Sequence, residues 1–250
     1  MLERRQKITA LVNEKGLVTF QELTHAFPQV SEMTLRKDLK YLDETQQLVR
    51  VHGGARSIET VVGADVPLKH RMTQNMDKKK QIAQKAAALV QPGAAVFLDS
   101  GSTCAELARV FPDVQGLVFT GGLHCLNELS RLKNPEVHVL GGVLNKDSLS
   151  VRDPRIARDM ASVNLNCAFV SVNGYSLEAG FTCRSETRRE MERAIISRAD
   201  KVVVLMDSQK VGAVSPFTIC GPEDIDVIIS DDELDADVRA ALEAAGVTVL

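Results

Sequence analysis

Hydrophobic positions follow two rhythms along the chain, and the change between them marks a change of organisation. Ile8, Leu11 and Val12 recur at helical spacing until Gly16 stops the run. Leu23, Ala26 and Phe27 give a second short helix one apolar side. Thr19 and Glu22, spaced as a capping box, open it, and Pro28 ends it. Leu35, Leu39 and Leu42 fall within about 60° of one another on a third helix, for which Ser31 is the N-cap. Two short extended runs then flank Gly53-Gly54, a hairpin signal. No period persists over residues 57–75. A helix with Asp77 as its cap follows, carrying Ile82, Ala86 and Leu89 on one face. Beyond residue 94 the rhythm becomes one of short apolar runs, "AVFLD", "GLVFT", "VHVL", "CAFVSV", "KVVVLMD", "VIIS" and "VTVL", with helical patterns after several of them. Runs without alternation predict a buried, mostly parallel sheet, and their alternation with helices predicts a layered α/β domain. The expected fold class is α/β: an N-terminal winged helix-turn-helix over residues 1–56, a linker over 57–75 and a larger α/β domain over 76–250.

The polar face of the third helix changes the picture. Opposite its leucine seam stand Met33, Arg36, Lys37 and Lys40, and its N-terminus presents Ser31 and Thr34. A capped cationic helix followed by a hairpin bearing Arg50, His52 and Arg56 has the shape to enter a major groove while the hairpin meets the backbone. His52 suits either a pH-sensitive contact or a plain hydrogen bond to phosphate or backbone. The charge distribution permits this placement. Residues 1–56 carry nine Lys or Arg against seven Asp or Glu, while the rest carry 21 against 26, within a formal total of −3.

Val30, Ser31, Thr34, Leu35, Arg36, Lys37, Asp38 and Leu39, followed by Arg50, His52, Gly53, Gly54 and Ala55, resemble the N-terminal signature of the DeoR family of bacterial transcriptional regulators. Segments such as "VFLDSGST", "AFVSVNG" and "LMDSQKVG" extend the resemblance over residues 1–232. It implies a repressor of a carbohydrate catabolic operon. Its DNA contacts would come from Ser31, Thr34, Arg36, Lys37, Lys40, Arg50 and His52. Its C-terminal domain would be similar to ribose-phosphate isomerase and would bind a phosphorylated sugar or related metabolite as effector.

The strand-to-helix loops bear on that effector. "DSGST" at 99–103 offers a glycine and two hydroxyls ahead of a helix expected to start at Cys104, a combination suited to a phosphate and equally to ordinary turn chemistry. It matches neither the Walker A pattern nor the dinucleotide G-x-G-x-x-G. By the resemblance, Asp99, Ser100, Gly101, Ser102, Thr103, Asn173, Gly174 and Lys210 are effector contacts. The chain departs from the family where Gly121-Gly122 follow Thr120 and where Arg152-Asp153 precede Pro154. Arg152, gained beside the pocket, joins the expected contacts and suits a more anionic or differently shaped ligand. The rival function is a sugar-phosphate isomerase with a DNA-binding head. Isomerisation needs a carboxylate base, and the loop Asn173–Leu177, where isomerases carry their acidic loop, has none.

Composition excludes other classes. Hydrophobic residues make up 44% of the chain, enough for a sizeable core. The five cysteines are scattered and the five histidines form no ligand pair, so buried thiols are expected, with no metal, cofactor or catalytic residue. The three lysines at 78–80 open a helix against its dipole; solvation is the expected role and a contact the alternative. No secretory h-region follows the N-terminus, and no apolar run approaches the ~20 residues of a membrane span. A cytoplasmic homodimer or homotetramer on a double-stranded DNA operator is the expectation.

Overall fold

The computed structural model describes residues 2–45, 47–51, 53–57 and 68–250. The wing histidine His52 and most of the expected linker therefore lie outside the described residues. The chain divides into two compact units, Met1–His70 and Arg71–Leu250.

The first unit runs α1 (Leu2–Lys15), β1 (Leu17–Thr19), α2 (Phe20–Ala26), α3 (Glu32–Glu44), β2 (Val49–Val51) and β3 (Gly54–Arg56). The apolar positions that spaced its helices become its core. Ile8, Val12, Leu23, Leu35, Leu39 and Leu42 are all buried, whereas Ala26 is exposed. Thr19 and Glu22 form the capping box of α2, and the Ser31 hydroxyl accepts the Thr34 N–H at the start of α3. The wing has three strands where a two-stranded hairpin was expected. β3 lies between β1 and β2, both antiparallel to it. Leu17–Thr19 is too short to announce itself as a strand and gains its partner only when the hairpin folds back. Gly54 is required by that approach, because a Cβ there would stand 2.2 Å from the Val18 carbonyl oxygen. Asp38, buried on α3, accepts from Arg4 Nε at 2.6 Å and Arg5 Nε at 2.8 Å. Burial opposes its ionisation, but the two guanidinium groups outweigh burial and hold the carboxyl below its ordinary range. These two arginines fasten α1 to α3.

α4 (Leu68–Arg71) closes the first unit, its last residue begins the second, and α5 (Met76–Ala87) follows. A strand-helix alternation follows: β4 (Ala95–Leu98), α6 (Ser102–Arg109), β5 (Gly116–Thr120), α7 (Leu123–Leu129) and β6 (Pro135–Val139). A hairpin of β7 (Val143–Asn145) and β8 (Ser150–Arg152) leads to α8 (Pro154–Met160). Then come β9 (Cys167–Ser171), β10 (Gly174–Ser176), β11 (Gly180–Cys183), α9 (Glu186–Ile196), β12 (Val202–Leu205), β13 (Phe217–Cys220), β14 (Val227–Ile229), α10 (Ala236–Ala244) and β15 (Thr248–Val249). Seven strands form one parallel sheet in the order β15-β14-β12-β9-β4-β5-β6. Strands β10, β11 and β13 form a separate antiparallel sheet, which the sequence reading left as loops. From β4 the order proceeds outward through β5 and β6, then restarts at β9 on the other side. The crevice between β4 and β9 is thus the topological switch point, where open α/β sheets place their ligands. Val96, Leu98 and Phe169 pack under α5, α6 and α7 on one face, while Phe97, Ala168 and Val170 meet α8 and α9 on the other. All five cysteines are buried and free.

Two helix starts differ from the sequence expectation. α6 begins at Ser102 with Gly101 as N-cap, not at Cys104. α5 begins at Met76 after Asn75, not behind an Asp77 cap. Nor are two of its three opening lysines simply solvated, although Lys80 is exposed. Lys78 pairs with Asp231 at 3.0 Å and Glu233 at 2.7 Å, and Lys79 is buried.

Candidate DNA-reading helix and effector site

On α3 the leucine seam fixes which side chains face outward. Arg36, Lys37 and Lys40 are exposed along one side, beside Met33, which is 69% exposed. Arg36 lies over the Phe20 ring at 4.3 Å and 3.7 Å from Glu32, and Lys40 is 3.7 Å from Glu44. Exposed ion pairs of this kind contribute about 0–1 kcal/mol, so a phosphate can replace the carboxylate at little cost. Ser31 and Thr34 are in mutual hydrogen-bond contact at 2.9 Å, which commits part of their capacity to the cap. Arg50 is exposed on β2, and its backbone N–H donates to Asp43 Oδ1 at 2.9 Å, tying the wing to α3.

In the second unit the candidate effector residues gather at the carboxyl ends of three neighbouring strands. Asp99–Thr103 follow β4, Asn173 and Gly174 follow β9, and Lys210 lies in the 3-10 turn Ser208–Lys210 after β12. Lys210 Nζ donates to the Val172 carbonyl at 2.6 Å, joining the last two of these loops. Arg152 comes from β8 and lines a narrow pocket with Ser100, Ser150, Thr187, Arg188 and Met191.

The centre of this arrangement is a residue the sequence reading missed. Arg188, in the first turn of α9, donates to Asp99 Oδ2 at 2.9 Å, Glu192 Oε1 at 2.7 Å, Asn173 Oδ1 at 3.0 Å and the Ser171 carbonyl at 2.6 Å. The only local signal was its i,i+4 spacing to Glu192. Its meeting with Asp99 spans 89 positions. One guanidinium thus serves two buried carboxyl groups. Asp99 also accepts the Ser171 N–H at 3.1 Å and the Ser171 hydroxyl. Burial works against its charge, yet Arg188 and Ser171 prevail, and it stays below its ordinary pKa. Glu192 goes the other way. Burial, reinforced by Asp99, pushes it well above the carboxylate range despite Arg188, and Oε2 has no hydrogen-bond acceptor role filled. The two shifts run in opposite directions, favouring the charge on Asp99 and the proton on Glu192.

Several candidate contacts acquire a different physical reason. Asp99 is 1% exposed and saturated, so it lies beneath the pocket and orients Arg188 rather than forming its wall. Ser102 and Thr103 are buried in the first turn of α6, while Ser100 opens to the pocket. Gly101 makes room for Ser171, whose Oγ would lie 2.1 Å from an added Cβ. Gly174 is needed by the Ala213 carbonyl, 2.1 Å from its own added Cβ. Gly101→Val would therefore disturb the Asp99–Ser171 contact and is a poor probe of ligand access. Among the described residues no cluster of His, Cys, Asp or Glu is placed to hold a metal, and no helix is long and apolar enough to cross a membrane.

Comparison with known proteins agrees with both halves. Residues 4–61 match the DeoR-like helix-turn-helix domain and residues 74–232 the DeoR C terminal sensor domain. The chain is 32% identical to the uncharacterized HTH-type transcriptional regulator YulB of Bacillus subtilis, over 99% of this chain and 95% of that protein. It is 32% identical to the HTH-type transcriptional regulator GlpR of Haloferax volcanii, over 99% and 96%. It is 30% identical to a putative aga operon transcriptional repressor of Escherichia coli O157:H7, over 99% and 93%. Among solved structures, ribose 5-phosphate isomerase A of Methanocaldococcus jannaschii aligns over 55% of each chain at 18% identity and a TM-score of 0.40, too distant to bear on chemistry.

Proposed function

The chain belongs to the DeoR family of transcriptional regulators, and on that premise we propose that it represses a carbohydrate catabolic operon and leaves its operator when a phosphorylated sugar or related metabolite binds the sensor domain. The observation that carries the DNA half is the exposed Arg36, Lys37 and Lys40 on a helix whose other side is locked into a leucine core. Ser31 and Thr34 would reach phosphate or base edges at the helix start, with Arg50 and His52 on the wing. For the effector, the ends of β4, β9 and β12 converge at the switch point of the sheet, where α6 also presents its unpaired N–H groups. Ser100 and the first turn of α6 would take the phosphate. Lys210, Asn173 and Arg152 would line the remainder, and Asp99 would hold Arg188 in place. The similarity to a putative aga operon transcriptional repressor supports the sign of regulation. The regulator acts in the cytoplasm as a homodimer or homotetramer, since one winged helix covers only a short half-site. It is a regulator and not an enzyme: its relatives are regulators, and the loop after β9 offers no carboxylate base.

The test is a gel shift on DNA from upstream of its own gene. Arg36→Ala and Lys37→Ala should each weaken binding by about 1–3 kcal/mol. A panel of sugar phosphates should then release the wild-type complex. Lys210→Ala should raise the concentration required by about tenfold or more, as loss of a charge-assisted bond implies. An unchanged shift with the double Arg36/Lys37 variant refutes the DNA assignment. A panel without effect, or a Lys210→Ala response equal to wild type, refutes the effector site.

A further inference from the structure

The segment by which the chain enters the sensor unit is fastened to the same loops that the effector is proposed to occupy. Asn75, just before α5, has a left-handed backbone with φ 52°, a conformation disfavoured for residues with a Cβ and least so for asparagine. Its side-chain Nδ2 donates to Asp207 Oδ1 at 3.3 Å and Gln209 Oε1 at 2.9 Å. One turn on, Lys78 Nζ donates to Ser208 Oγ at 2.7 Å. Asp231, its ion-pair partner, accepts the Ser208 N–H and hydroxyl at 2.7 and 2.8 Å. Residues 75–78 thus hold three consecutive members of the turn that ends in Lys210.

Lys79 makes this attachment two-state. It is 3% exposed, and its ammonium donates to the carbonyls of Arg71 and Gln74. Burial, with Lys210 adding to it, draws its pKa down to about 8. The turn 71–74 is therefore the cap of a buried cation. If the turn peels away, Lys79 loses both acceptors and either follows into water or gives up its proton, because a buried charge without hydrogen-bond acceptors is costly.

We propose that residues 71–79 form a latch between the effector loop and the chain leading to the DNA-binding head, closed in the operator-binding form and opened when the effector engages the loop 207–210. The opening half rests on the effector reading above: an anion that draws Lys210 away from the Val172 carbonyl pulls on the turn that Asn75 and Lys78 grip. Two discrete arrangements biased by both ligands are what coupling between distant sites requires.

Linkage makes the latch visible from the DNA side without an effector. Hydrogen-deuterium exchange is measured on the full chain, free and bound to a duplex that it selects from a random pool. The Lys79 amide, bonded to the Asn75 carbonyl at 3.0 Å, and the Lys210 amide, bonded to the Asp207 carbonyl at 3.1 Å, are the reporters. In wild type both should exchange more slowly in the complex by about fivefold or more, the lower end of ordinary coupling. Asn75→Gly keeps the left-handed backbone and removes only the side-chain bonds; the exposed Gln209→Ala removes one of them from the other side. Each should reduce the joint slowing to under about twofold. Exchange in wild type that is unchanged or faster on DNA overturns the proposal, as does wild-type behaviour in both variants. Sugar phosphates that fail to release the operator would overturn the effector site while leaving these exchange results intact.

Discussion

Replacing Arg188 by Met removes the one cation shared by two buried carboxyl groups while keeping an unbranched side chain of similar length. Asp99 is left fully buried with Ser171 and Ser100 as neutral hydrogen-bond partners and no cation. Keeping it ionised without its cation costs about 3–5 kcal/mol. Its alternative is to take a proton, and at pH 7, against an ordinary value of 3.8, that costs about 4 kcal/mol at 1.36 kcal/mol per unit. The two routes agree, so the expected loss of stability at pH 7 is about 4 kcal/mol. The pH dependence has a definite sign. In the variant the folded-state pKa of Asp99 lies above its unfolded value, so the penalty is least in acid and grows as pH rises. At pH 5 it should shrink to about 1.6 kcal/mol by the same proton count. The chain has two tyrosines and no tryptophan. Tyr175 is buried against Phe181 in the sensor unit, and Tyr41 is 40% exposed on α3. Urea unfolding followed by tyrosine fluorescence at the two pH values therefore reports the sensor core. Adding Asp99→Asn should restore about half of the loss, since the stranded charge is gone but its polar partners remain. A loss below about 1.5 kcal/mol at pH 7, or one just as large at pH 5, would refute the shared-cation account.

Glu192→Gln keeps the shape of the protonated acid without its titration. Because the folded pKa of Glu192 is raised above 4.5, its contribution is full below that value and is lost as pH rises through the folded one. The Gln variant should therefore gain on wild type in thermal unfolding as pH rises above 4.5, and parallel curves would contradict a raised Glu192 pKa. A fragment of residues 71–250 should fold alone and scatter light as a dimer or larger; a monomer would sink the oligomer half of the proposed function. A fragment of residues 76–250 lacks the carbonyls that cap Lys79 and should be less stable by about 1–3 kcal/mol, so equal urea midpoints would show that the cap contributes nothing.

The head was legible in the sequence to the level of single caps. Thr19, Glu22 and Ser31 act through partners three residues away, and Leu35, Leu39 and Leu42 declare a helix face by spacing alone. The same holds for the parallel strands, whose unbroken apolar runs announce burial on both faces. The motif residues that carry the family resemblance are also local, which is why α3 and the 99–103 loop stand out in the sequence. Other features had no local expression. β1 is three residues long and becomes a strand only against Gly54, and β10, β11 and β13 pair across separations that no periodicity records. Gly101 looked like room for an anion, but its neighbour is Ser171, seventy positions on. Lys79 looks in the sequence like a surface charge on a helix start, and Arg188 shows nothing beyond its spacing to Glu192; folding sets Arg188 against Asp99 and buries Lys79 beneath the 71–74 turn. Spacing along a chain fixes contacts within a helical turn or a strand pair. Which charge meets which across the molecule is set by the order of strands in the sheet, and that order is decided only when distant apolar faces pack together.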